Sequence, residues 1–146
     1  MNDLTLNAAA RIVDAALAHA ATRELKPLTV AVLDAGGHLV AFKRQDGSGI
    51  LRPEIARGKA WGALGMGVGS RGLAQRAEMA PAFFVALASA SEGRVIPVPG
   101  GVLIRGQEGK VIGAVGISGD LPDNDEACAV FGIEDAGLIA DPGQPH

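Results

Sequence analysis

Small side chains constrain this chain more than any other feature: 26 alanines and 21 glycines stand among 146 residues, against four phenylalanines, one tryptophan and no tyrosine. Thin side chains let backbones approach closely, but each buries little apolar area, and burial is worth only about 25 cal/mol per Å². Stability must therefore come from close contact between elements, and burial between subunits is a natural supplement, so a homo-oligomer is expected. The length is that of one ordinary domain. A composition that is 48% hydrophobic and 20% charged excludes intrinsic disorder.

A net charge of -3 supplies no field that would draw the chain to nucleic acid or to an anionic membrane. No apolar run approaches the roughly 18 residues of a membrane span, and Met1-Asn2-Asp3-Leu4 does not open a signal peptide. A cytoplasmic protein with neither nucleic-acid nor membrane partners is expected. Cys128 has no second cysteine to pair with and falls among Ala127, Ala129 and Val130, the setting of a buried structural thiol.

The spacing of Leu6, Ala9, Ile12, Val13, Ala16, Leu17 and Ala20 predicts an amphipathic helix from Thr5 to about Glu24, ended by Pro27. Leu28–Asp34 and His38–Arg44 read as two strands joined by Ala35-Gly36-Gly37. Leu51–Val68 reads as a helix opened by Pro53, and its glycines pose a question. Gly58 with Gly62, and Gly65 with Gly69, are each four apart, so either another backbone approaches there or the helix breaks near Gly65. Short helices follow over Ser70–Glu78 and Pro81–Ala90. Arg94–Val98, Gly101–Arg105 and Lys110–Ile117 read as a three-strand meander, Asp123–Leu138 as a last helix capped by Asp123, and 141–146 as a flexible tail. The order predicts one α+β domain over 1–140, an antiparallel sheet of about five strands flanked by helices.

No standard catalytic motif is present. The polar residues that stand out gather on the first hairpin and its exit: Asp34, His38, Lys43, Arg44 and Asp46, then Arg52, Glu54 and Lys59. Arg44 and Arg52 suit a bidentate carboxylate clamp, and His38, beside a glycine turn, suits a metal or haem ligand or a general base; the same residues also suit a solvated hairpin end. Gly100 and Gly101 can bring backbone amides to a ligand or simply turn the chain.

Four segments in order carry a family resemblance: Val30-Ala-Val-Leu-Asp-Ala-Gly-Gly-His-Leu-Val-Ala-Phe-Lys-Arg-Gln-Asp-Gly47, Ala56-Arg-Gly-Lys-Ala60, Gly100-Gly-Val-Leu-Ile104, and Val111-Ile-Gly-Ala-Val-Gly-Ile-Ser-Gly119 followed by Asp125. Over nearly its whole length the chain resembles the GlcG/HbpS family of haem-degrading domain proteins, related to the PduO C-terminal domain. That resemblance implies a profilin-like sandwich, a higher oligomer, haem or tetrapyrrole binding, and in some members an association with catabolic pathways. It falls on Asp34, Gly36, Gly37, His38, Arg44, Asp46, Gly47, Lys59, Gly100, Gly101, Ser118 and Asp125. The chain departs from the pattern at Leu103, where the family commonly has proline, and at Gly67-Val-Gly-Ser-Arg71, where it has a threonine-bearing segment. Trp61 matches an aromatic position.

The leading expectation is thus a haem- or tetrapyrrole-binding oligomer, with His38 as axial metal ligand and Arg44, Arg52, Lys59, Gly100 and Gly101 near the cofactor. A ring wall would draw on Phe42, Trp61, Phe83, Phe84 and Phe131. The alternatives are a small-molecule enzyme acting on an organic acid or aromatic-catabolism intermediate, with His38, Glu54 and Asp46 moving protons, and a non-catalytic oligomeric scaffold or sensor.

Overall fold

The structure, a computed structural model, describes residues 3–143. Helix α1 spans Leu6–Thr22 and starts at Thr5, whose hydroxyl accepts the Ala8 amide at 3.1 Å. It ends before Pro27: Glu24 turns the chain with a φ of 53°. Strands β1 (Thr29–Asp34) and β2 (Leu39–Arg44) form the expected hairpin, with Gly37 at a φ of 84° in the turn. Then come α2 (Arg52–Met66), α3 (Ser70–Met79), α4 (Pro81–Ala90), β3 (Gly101–Arg105), β4 (Val111–Ser118), α5 (Pro122–Asp135) and β5 (Ile139–Asp141).

The strands make one antiparallel sheet in the order β2-β1-β4-β3-β5, so the α+β class and the strand number are as expected. The identity of the fifth strand is not. Arg94–Val98 stays outside the sheet, because Pro97 and Pro99 have no amide to give a ladder. Its place is taken by Ile139–Asp141 on the far edge, where Asp141, assigned from sequence to the tail, pairs with Leu103 and holds Arg105 in an ion pair of 2.9 Å. Residues 144–146 of the expected tail lie outside the described residues.

The two sheet faces differ in thickness. Val30, Val32, Val102, Ile104, Val115 and Ile117 pack against Ile12, Val13, Ala16, Ala129 and Ile133 of α1 and α5 to make the main core, which also buries Cys128. The other face presents Ala31, Leu33, Gly101, Ala114 and Gly116 to α2. There the helix backbone rests on the sheet: a Cβ at Gly116 would stand 1.8 Å from the Ala56 carbonyl oxygen, and one at Gly101 would stand 2.3 Å from that of Lys59.

Gly58 and Gly62 do admit another backbone. A Cβ on Gly58 would meet the Arg94 carbonyl oxygen at 2.7 Å, a Cβ on Gly62 would meet Val95 Cγ1 at 2.9 Å, and the Ile96 amide donates to the Gly58 carbonyl. Gly65 and Gly69 do not share a helix face. The helix ends at Met66 with Gly67 in the left-handed region, and Gly69 caps α3 against Pro142. We expect Gly116→Ala to destabilise the fold by about 3 kcal/mol or more through overpacking. Gly65→Ala, with nothing within 4 Å, should stabilise it by up to about 1 kcal/mol. Urea unfolding of the two variants checks the contrast.

Candidate functional site

The tip of the first hairpin is built around Asp34. One of its carboxylate oxygens accepts the Gly36 and His38 amides, each at 3.0 Å, and lies 3.1 Å from His38 Nδ1. The His38 amide is the leading cause of an Asp34 pKa below the ordinary carboxylate value, so the group is ionised at neutral pH. An ionised carboxylate at Nδ1 favours the tautomer with its proton there, leaving the Nε2 lone pair free. The His38 side chain is 80% exposed. This is the carboxylate–histidine arrangement that orients imidazole toward a metal.

Beside the tip lies a cleft of about 540 Å³ between β2 and α2. Its apolar wall is Ala31, Leu39, Phe42 and Trp61, and Glu54, Arg57, Glu92 and Arg94 add charge. Strand β2 is an edge strand that α2 leaves uncovered, so Leu39 and Phe42 remain 45% and 41% exposed. Pro53, Arg57 and Trp61 reach the cleft because their spacing of four places them on one side of α2. The cleft meets the hairpin tip at Trp61, whose ring stands 3.2 Å from where a Gly37 Cβ would be, and Leu39 follows His38 directly.

The other sequence candidates are scattered. Arg44 lies at the far end of β2 from His38, six residues or about 20 Å along an extended strand. It donates to the Ser48 carbonyl, and with Asp46 it lines a separate groove beside Leu17, Leu25 and Pro27. Arg52 donates to Ser118 Oγ at 2.9 Å. Arg44, Arg52 and His38 therefore form no single clamp, and Asp46 does not join Glu54 and His38. Gly100 and Gly101 are buried in the contact with Lys59, the Gly101 amide donating to Ser70 Oγ at 2.7 Å.

Lys59 is also interior. Its ammonium donates to the Ile117 carbonyl at 2.9 Å and to Asp125 at 3.3 Å, with both side chains at most 3% exposed. Nor does Asp123 cap α5: it pairs with Arg71, while Asp125 and Asp120 take the amides of Asp120 and Leu121. Of the five aromatic rings, Phe42 and Trp61 reach the cleft. Phe84 packs on Leu73 and Val95, and Phe131 stacks on His19 at 4.3 Å. Sequence reasoning missed Arg57 and Arg94. The four-residue spacing of Arg57 and Trp61 was a usable signal, whereas nothing local marked Arg94, which arrives by tertiary docking on Gly58.

Among the described residues no three His, Cys, Asp or Glu side chains converge to hold a metal, and no helix is long and apolar enough to cross a membrane. The donor set at the tip, one imidazole with a carboxylate behind it and an apolar wall with guanidinium groups nearby, fits a haem held by its iron and its acid side chains.

Fold and site together define an α+β sandwich that presents a histidine beside a ring-lined cleft. The chain belongs to the family of haem-degrading, HbpS-like proteins, whose family model matches residues 4–134. No curated protein sequence matches it. Among solved structures it is similar to PduOC in complex with haem, at 26% identity and a TM-score of 0.84 over 93% of this chain and 96% of that one. The protein ORFY of Klebsiella pneumoniae matches at 25% identity and a TM-score of 0.85, over 94% of this chain and 92% of that one. A double mutant of HbpS from Streptomyces reticuli matches at 26% and 0.79, over 92% and 88%.

Burial pushes the Asp125 carboxyl up to about 6, against the pull of Lys59. Because the folded state then holds this proton more tightly than the unfolded chain, the contribution of Asp125 to stability is full below about pH 4 and is lost as pH rises through about 6. Removing the ammonium leaves the buried charge unpaired. Lys59→Met should therefore cost about 3–5 kcal/mol at pH 7.5, and the loss should shrink toward pH 5 as Asp125 takes up its proton. Denaturant unfolding at both pH values checks this; an equal loss at both would contradict it.

Proposed function

We propose that this protein binds haem or a closely related tetrapyrrole, with His38 Nε2 as the axial ligand to iron. The single observation that supports the reading is the Asp34–His38 pair, which leaves Nε2 free on a hairpin tip whose next residue, Leu39, lines a cleft walled also by Phe42 and Trp61. Asp34 holds the imidazole tautomer and orientation, while the apolar wall would keep water from a bound ring and Arg57 and Arg94 would hold its acid side chains. Iron, when bound, supplies Lewis acidity and one-electron chemistry. Membership of the haem-degrading family and the likeness to PduOC in complex with haem support the reading.

Acid–base chemistry on an organic acid draws less support, because Asp46 lies in a different groove from Glu54. Self-association belongs to the proposal. Helix α4 carries no charged residue and leaves Phe83 and Val85 53% and 73% exposed, an apolar surface that a second copy of the chain would cover. Sedimentation equilibrium should give a mass above that of one chain; a monomer at micromolar concentration would count against it.

Haemin titration of the wild-type chain should produce a saturable, shifted Soret band. We expect His38→Ala to remove that shift and Asp34→Asn to weaken binding about 10- to 100-fold by loosening the imidazole. A Soret band that does not shift, or one indifferent to His38→Ala, would overturn the assignment.

A further inference from the structure

The Arg94 guanidinium lies over the Trp61 ring, its central carbon 4.1 Å from the centroid. It is held there from two directions. Its Nε donates to the Ser91 carbonyl at 3.0 Å, and its backbone is seated on α2 at Gly58. An exposed stack of this kind is weak, of order 0.5–1 kcal/mol, whereas a guanidinium–carboxylate pair is charge-assisted and bidentate. The Trp61 face that Arg94 covers belongs to the wall a flat ligand would use, and the ring is already confined on another side by the Gly36-Gly37 turn. Arg57, one turn before Trp61, has no hydrogen bond or ion pair among the described residues. Glu54 and Glu92 also line the cleft, so the charges cancel and an anion is selected by position rather than by net field.

We propose that Arg94 is a latch on this cleft: the carboxylate of a planar, dianionic ring ligand draws the guanidinium off Trp61, and the ligand's ring takes the uncovered face while Arg57 meets the second carboxylate. The inference rests on the cleft taking a tetrapyrrole, not on iron ligation by His38. Recognition by the latch needs the two acid groups and the flat ring, so metal-free rings enter as well. A ring whose acids are masked has nothing to exchange for the stack, and the guanidinium then obstructs it.

The test uses the full chain with metal-free protoporphyrin IX and its dimethyl ester, followed by porphyrin fluorescence anisotropy and by emission from Trp61, the one tryptophan of the chain. The free acid should bind the wild type about tenfold or more tightly than the ester, the equivalent of one charge-assisted contact. Arg94→Ala should weaken the acid about tenfold and leave the ester unchanged or tighter, because the ring face is freed, and Arg57→Ala should weaken the acid alone. Equal binding of acid and ester to the wild type, or an Arg94→Ala variant that weakens both equally, would overturn the latch. The metal-free rings offer no iron to His38, so failure here and failure of iron ligation in the haemin titration are read separately.

Discussion

The contact between α2 and the sheet, made backbone to backbone, is what the rest of the structure depends on. Gly116 and Gly101 remove the side chains that would hold the helix off, and Ala31 and Ala114 keep the face thin around them. An ordinary helix–sheet layer is spaced by large side chains; here the helix sits low, so its flank rather than its base faces β2. That flank carries Arg57 and Trp61, and the gap between it and the exposed edge strand is the cleft. The same device is used once more on the outer side of α2, where Gly58 and Gly62 let Arg94–Ile96 dock and carry Arg94 onto Trp61. The abundance of small residues is thus spent on placing backbones, and apolar area is concentrated on the α1/α5 face.

The buried Lys59–Asp125 pair belongs to this scheme. Lys59 sits where α2 crosses the β3 and β4 backbones, and its ammonium ties the Ile117 carbonyl to a carboxylate from the first turn of α5. One side chain thereby joins the helices of both layers through the sheet. Replacing such a pair with apolar groups is often neutral, but removing one partner is not. In this chain the pair ties α2 to β4 and to α5.

Much of the fold was legible in the sequence because its signals were local. The periodicity of α1, the glycine turn between β1 and β2, and prolines opening α2 and α4 all report short-range physics. The fifth strand was not legible: Arg94–Val98 has a β-branched composition, yet its destination was decided by the groove at Gly58 and Gly62, and Ile139–Asp141 is too short to announce itself. The site was half legible. His38 and Asp34 share one turn and could be paired by eye. The charged residues of the hairpin exit are near His38 in sequence but a strand's length away in space, whereas Arg94 is distant in sequence and stands over the Trp61 ring.

We propose that the Asp34-held imidazole of His38 and the β2/α2 cleft are one site, which anomalous diffraction at the iron edge from crystals of the haemin-loaded protein would decide. An iron peak is expected at bonding distance from His38 Nε2, with the ring density extending over Leu39 and Phe42 toward Trp61. An iron peak on another residue, or ring density lying away from the cleft, would contradict it.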